Sequence, residues 1–413
     1  VPDVTGSDEN ARQLRLALLA SVERAGTDGR GFVGHALVVD DTVPRPDRDA
    51  GSVVTLEQML VLRRLGWRVT FAPANDQAVT PHDRHRLERL GIEAALPPEH
   101  PSVTQYLQDF GEDLDLVQVG RHTNATVLEP RVREFAPRAK LLFAPHDLHF
   151  LREAREAEVA GRRAETPARK RLRAEEVACV RSADATLVMS DHELKLLAAE
   201  TEPAKLHLLR WVAQPKSEIP DFASRDGLLF VGNFAHRPNI DAVQWYATAI
   251  LPVLRRRRPG LVLHVVGSDP PREVATLAGP DIEVHGWVRD LETLLGRVRL
   301  SIAPLRYGAG FKGKVAVSLA QGVPVVGTAL AMEGTGLEPG DGVAVADTPQ
   351  AFAAAVVRLH DDATVWETQS RRALERVAAL YSPAAAASVY RRMLSGLGLP
   401  FRRPSPAHEA RSQ

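Results

Sequence analysis

Short apolar runs rich in Val and Leu alternate along this chain with stretches whose apolar residues recur at helical spacing, and polar loops separate the two. The first run, HALVVD at residues 35–40, feeds a loop holding Pro44, Pro46 and Gly51, which reads as a buried strand ending in a turn-rich segment. Thr55 with Gln58 has capping-box form, Leu56, Met59, Leu60, Leu62 and Leu65 give an apolar face, and Gly66 supplies a stop, so a helix is expected over residues 52–65. Residues 68–72, 116–119, 140–144 and 185–190 read as further strands, and 82–90 as a helix. Residues 151–181 are crowded with Arg and Glu, and pairs such as Arg152 with Glu156 support one long solvated helical stretch. A helix over residues 10–26 is expected ahead of the first domain.

The second half repeats the alternation more cleanly. Strands are expected at 228–231, 261–266, 282–285, 300–303, 323–327 and 343–345, with helices at 240–257, 292–297, 313–321 and 350–359. Between the halves, residues 214–227 carry Pro215 and Pro220 without apolar periodicity and read as a linker. Strand-helix alternation predicts parallel sheets, so the fold class is α/β, with two Rossmann-like doubly wound domains facing a central cleft. The expected organisation is an N-terminal helical extension at 1–30, a first domain at 31–213, the linker, a second domain at 228–382, a C-terminal helix at 383–399 placed to cross back to the first domain, and a disordered tail at 400–413.

Composition narrows the partners. The chain has 413 residues and equal numbers of basic and acidic side chains, 52 each, which removes the electrostatic footprint of a protein devoted to nucleic acid phosphates. Cys179 is the sole cysteine and excludes an internal disulfide, and no run approaches the roughly 18 apolar residues of a membrane span. A cytoplasmic location is expected. The basic residues between Arg152 and Arg173 suggest a weak peripheral contact at the inner face of a membrane as a secondary expectation, although glutamates are interleaved with them. The first residues lack an initiator Met and a signal-peptide pattern, so the chain reads as an excised piece.

Ligands of open parallel sheets sit at the carboxyl ends of the strands, and three loops there carry chemistry. In Gly308-Ala309-Gly310-Phe311-Lys312-Gly313-Lys314, glycines let backbone N–H groups approach an anion, a helix N-terminus follows, and two lysines add full charges. That is a phosphate or diphosphate cradle. By letter the loop also matches a dinucleotide fingerprint, with Glu333 as the distal acid, but it follows the fourth strand of its domain rather than the first. Gly232-Asn233-Phe234 follows the first strand of the second domain, as a close-approach glycine or a plain turn. Pro145-His146-Asp147-Leu148-His149, with Arg152 beyond, reads as acceptor or phosphate contacts; nearly adjacent residues in an extended loop rarely converge on one metal ion. Asp113 and Asp115 precede their strand, Asp47 and Asp49 sit beside Arg45 and Arg48 in a charged loop, and His192-Glu193 lacks the second histidine of a zinc helix.

The second half, with LLFVGNF, RPNIDAV, LVLHVVGSDPP, IEVHGWVRDL and APLRYGAGFKGKVAVSLAQGVPVVGT in order, resembles a family 4 retaining glycosyltransferase of GT-B fold; VVDDTVPRPDRDAGSV and PHDLHFLREAREAE are similar to the acceptor domains of such enzymes. The resemblance implies sugar transfer in the cleft with retained anomeric configuration, from a nucleotide diphosphate-sugar bound as substrate to a carbohydrate or small-molecule acceptor. No cofactor and no metal are implied. Lys312 and Lys314, with His149, would be the catalytic groups. Gly232, Asn233, Gly308, Gly310, Phe311 and Gly313 would hold the donor, with Trp287 and Val288 at its base and Glu333 as a further contact. Gly51, His122, Asp147 and Arg152 would face the acceptor.

One departure stands out. The family places glutamates where this chain has Ala309 and Val317, and the second of these normally binds the donor ribose. An arginine after the first strand of the second domain is also replaced, by Asn233 or Phe234. Either Glu333 or Ser318 compensates, or the chain is a catalytically degenerate binding protein of the same shape. A nucleotide-sugar epimerase and an NAD-dependent oxidoreductase are the remaining alternatives.

Overall fold

The computed structural model describes residues 31–75 and 79–402; the helix expected over 10–26 and the tail beyond residue 402 lie outside the described residues. The first sheet contains β1 (His35–Asp40), β2 (Arg68–Pro73), β3 (Glu93–Ala94), β4 (Leu116–Gly120), β5 (Lys140–Ala144), β6 (Ala185–Val188) and β7 (Leu206–Leu208), in the order β3-β2-β1-β4-β5-β6-β7. The second contains β8 (Leu228–Val231), β9 (Leu263–Val266), β10 (Ile282–Gly286), β11 (Leu300–Ala303), β12 (Val325–Gly327) and β13 (Val343–Val345), in the order β10-β9-β8-β11-β12-β13. Neighbouring strands pair in parallel in both sheets. Helices cover both faces, which is why the central strands are continuous apolar runs rather than alternating ones. Chain order reverses between β1 and β4 and again between β8 and β11, and a crevice opens at each reversal.

Local chemistry corrects two expectations. The helix Ala50–Arg64 begins earlier than its apolar face suggests, because Asp49 caps it, its Oδ1 accepting from the Ser52 amide at 2.8 Å. Thr55 and Gln58 form no capping box. They lie inside the helix and turn into the core, where the Thr55 hydroxyl donates to Asp40 at 2.5 Å and Gln58 Oε1 accepts from Gln118 at 2.6 Å. The charged stretch is two helices, His149–Val159 and Pro167–Ser182: Gly161, at φ +65°, lies just beyond the first, and Thr166 caps the second with Pro167 in its opening turn. β3, β7 and the helices Val103–Phe110, His122–Phe135, Asp191–Ala198 and Ala363–Leu380 have no counterpart in the sequence reading.

Two features anchor the chain segments that connect the domains. The segment before β8 has no regular structure, yet Arg225 in it is buried, donating to the carbonyls of Pro220, Leu295, Val298 and Gln321 at 2.7–3.3 Å with Trp366 under its guanidinium. Burial pushes its pKa down to about 10. The helix Pro383–Gly396 returns to the first domain, where Ala386, Ala387, Tyr390, Met393 and Leu394 join the cluster of Leu56, Met59 and Leu60. There the Tyr390 hydroxyl donates to Gln118 Oε1 at 3.0 Å. Replacing Arg225 with Met strands carbonyls that have no water to turn to, so R225M should cost about 3 kcal/mol and lower the melting temperature. Arg255→Met, which removes an exposed pair with Asp281, should change stability by under about 1 kcal/mol.

Candidate active site

The carboxyl ends of the two sheets face each other across a cleft of about 3410 Å³. Loops after β1, β5, β8, β10 and β11 line it. In the loop after β11, Gly308 and Gly310 have φ of +141° and +69°, in the range that favours glycine. Space makes the same demand: a Cβ on Gly310 would lie 2.7 Å from that of Asp147 across the cleft, and one on Gly313 would lie 2.6 Å from the Trp211 ring. The helix Gly313–Ala320 starts here and directs its N-terminus at the cleft wall.

Lys312 and Lys314 flank that N-terminus. The Lys312 ammonium donates to the Gly310 carbonyl at 2.7 Å; burial pushes its pKa down, the carboxylates of Glu333 and Glu193 pull it back, and it settles at about 8. Lys314 donates to Asn239 Oδ1 at 2.5 Å and lies 4.3 Å from the centre of the Phe230 ring. Burial, reinforced by the like charge of Lys312, brings it down to about 7. Asn239 also donates to the Asn233 carbonyl at 2.7 Å and lies where a side chain on Gly232 would have to go, so one amide ties the loop after β8 to Lys314. Phe311 lines the cleft and stacks on Trp211.

On the opposite wall Asp147 takes an ion pair from Arg152 and lies 3.4 Å from His149 Nε2. Burial alone would raise its carboxyl, but the His149 hydrogen bond and the Arg152 charge hold it down at about 2. His149, Arg152 and Gly51 line the cleft. His122 does not: it is buried beneath His149, edge-on at 4.8 Å, and reaches Glu176 at 3.4 Å. Below this wall Asp40, at the end of β1, gathers Thr55, Arg121 and His146, and its carboxyl is held far below the usual range. Arg121 and His146 both carry positive φ, 67° and 68°, a strain that this shared carboxylate secures. Asp40 and Arg121 escaped the sequence reading of the site, and His146 was read only as one of a run of acceptor or phosphate contacts, because the three come from separate strand ends.

The structure assigns Glu333 a different place from the one expected. It is outside the cleft lining, and both its oxygens accept from Arg155 of the first domain, at 2.7 and 2.8 Å, with His192 beside them. The same guanidinium donates to the Gly308 carbonyl at 2.8 Å. Glu193, also of the first domain, accepts the Gly310 amide at 2.9 Å and that of Leu148 at 3.1 Å, so one carboxylate joins the donor-side and acceptor-side loops. Burial pushes its pKa up to about 7. Ser318 is fully buried outside the lining, while Val317 lines the cleft and packs in a cluster with Val288, Leu291 and Leu294. Trp287 reaches across the cleft, its indole N–H donating to the Asp47 carbonyl at 2.9 Å, and Asn233 donates to that of Arg48 at 3.3 Å. Arg155 and Glu193 lay in a helix read as solvated surface and in a motif judged only for zinc; neither carried a sequence signal for an interdomain contact.

Residues 225–362 match the family model of glycosyl transferases group 1. The match spans the greater part of the second domain. Across both domains the chain is similar to sucrose-phosphate synthase from Thermosynechococcus elongatus, at 18% identity with a TM-score of 0.66 over 88% of this chain and 99% of that one. It is similar also to Anabaena HepE, solved in complex with UDP and glucose, at 13% identity with a TM-score of 0.65 over 88% and 99%. WaaG, a glycosyltransferase involved in lipopolysaccharide biosynthesis, matches at 15% identity with a TM-score of 0.58 over 86% and 99%. Comparison with curated protein sequences returns no match. The fold is GT-B, and the group 1 domain on it places the chain among glycosyltransferase enzymes. Among the described residues no helix is long and apolar enough to cross a membrane. In the charged helices and the turn between them, Arg162, Arg169, Lys170 and Arg173 each pair with a glutamate.

Glu193 makes the join between the domains sensitive to pH. Its pKa lies above the ordinary value of 4.5, so the folded protein holds this proton more tightly than the unfolded chain. The stability contributed by the neutral form is complete below about pH 4.5 and is lost as pH rises through about 7. Glu193→Gln keeps an acceptor oxygen and removes the titration. Its melting temperature should vary less over that window than the parent's, and an identical slope would disprove the assignment.

Proposed function

We propose that this glycosyltransferase moves a sugar from a nucleotide diphosphate-sugar to a carbohydrate or small-molecule acceptor, with retained anomeric configuration and without a metal ion. The observation that carries this reading is the lysine pair at the N-terminus of the helix Gly313–Ala320. Two buried amines with depressed pKa values beside a helix N-terminus await an anion that restores their charge. A donor diphosphate supplies that anion, and the pair stabilises the negative charge that grows on the leaving group as the glycosidic bond breaks. Gly232 and Asn233 border the same phosphates, and Trp287 and Val288 flank the base. His149, Asp147 and Arg152 face the sugar and the incoming acceptor, so that positioning supplies much of the remaining rate. The UDP and glucose complex of HepE supports a nucleotide-sugar donor.

A second reading, a binding protein that has lost transfer, is favoured by Val317 at the expected ribose contact and by the Gly310 amide already donating to Glu193. The experiment that separates the two is a thermal-shift and hydrolysis screen against UDP, GDP, dTDP, ADP and their sugar conjugates, in EDTA. Stabilisation by one nucleotide with slow sugar release from its conjugate supports transfer; stabilisation without release supports the binding protein. The K312A/K314A double variant should weaken donor affinity at least about a hundredfold and leave the fold intact, whereas Val317→Glu should tighten it about tenfold or more. Donor affinity should fall as pH rises above about 7, because the amines of the free protein lose their charge there.

A further inference from the structure

The free edge of the second sheet carries a side-chain group that sugar transfer does not use. β10 is the outermost strand, its Glu283 pairs directly with His264 of β9, and His285 follows two residues later on the same face. His264 Nδ1 lies 3.0 Å from His285 Nε2 and 3.2 Å from Glu283 Oε2, and His285 Nε2 lies 3.5 Å from that oxygen. Bonds of about 2.0–2.2 Å to a tetrahedral zinc ion set ligand atoms about 3.3 Å apart, and the three separations bracket that value. The register shifts between Val284 and Gly286, where Gly286 has φ +68°, and such a bulge re-aims the side chain it contains, here His285. Glu283 and His285 are exposed, which leaves a fourth position open to water.

We propose that His264, His285 and Glu283 bind one divalent transition-metal ion, zinc by preference, with solvent as the fourth ligand. Two imidazoles and a carboxylate are a donor set for zinc rather than for calcium or magnesium, which take oxygen. Binding displaces the proton between the two imidazole nitrogens, which leaves to solvent. The ion is a brace rather than a catalyst. It cross-links β10 to β9 at the root of the loop that carries Trp287 into the cleft. The other group of similar composition, His122, His149 and Glu176, is a poorer site, because the Glu176 oxygens already accept the amides of His149 and Phe150.

The test uses the full chain stripped with EDTA and then titrated with zinc chloride by calorimetry, with thermal unfolding followed in parallel. One saturable site is expected, together with a zinc-dependent rise in melting temperature and, with cobalt(II) in place of zinc, the intense visible absorption of four-coordinate cobalt. The H264A/H285A double variant should bind zinc at least about a hundredfold more weakly and lose the thermal shift, and Glu283→Gln about tenfold more weakly. Metal-free melting should be unchanged in Glu283→Gln, since Glu283 stands exposed at a sheet edge, so that variant separates loss of the ion from loss of the fold. The absence of a saturable site, or undiminished affinity in the double variant, overturns the proposal; the latter would mean that the ion sits elsewhere.

Discussion

Arg155 is the side chain on which the geometry of the cleft depends. From a helix of the first domain it grips the Glu333 carboxylate with two parallel N–H donors and the Gly308 carbonyl with one of the same groups. A bidentate pair between partly buried partners fixes orientation as well as distance. The loop that carries Lys312 and Lys314 is thereby held at a set height above the acceptor wall, and Glu193 fastens it a second time through the Gly310 amide.

This arrangement accounts for the unusual electrostatics of the loop. Lys312 remains within reach of two carboxylates, so its depression is moderate, whereas Lys314 feels mainly burial and the like charge of its neighbour. Placing uncompensated positive charge at a helix N-terminus costs stability in the empty protein, and a diphosphate offsets that cost. The close approach of Gly310 to Asp147 explains why this position is glycine: any side chain would push donor and acceptor walls apart.

Much of the framework was legible from pattern alone. The central strands of both halves are largely apolar runs bounded by polar or glycine-rich turns, because strands covered on both faces must be apolar, whereas the edge strand Ile282–Gly286 alternates between buried and exposed positions. The short edge strand Glu93–Ala94 and the helix His122–Phe135, with Pro130 inside it, were not, since neither carries a clear apolar period. Thr55 and Gln58 misled because a capping-box spacing also serves two polar residues facing a core that contains Asp40 and Gln118.

The sequence by itself determined the strand-helix alternation, the glycine-lysine loop and the absence of the family's glutamates at Ala309 and Val317, since these are local properties of spacing and residue type. Only the tertiary structure decided what that loop touches. Glu333 lies twenty residues beyond Gly313 and pairs with Arg155, 178 positions earlier in the chain; no local pattern encodes a contact between residues that meet only when two sheets dock. The same holds for Asp40 with His146 and for His264 with His285, where parallel strands bring distant positions side by side.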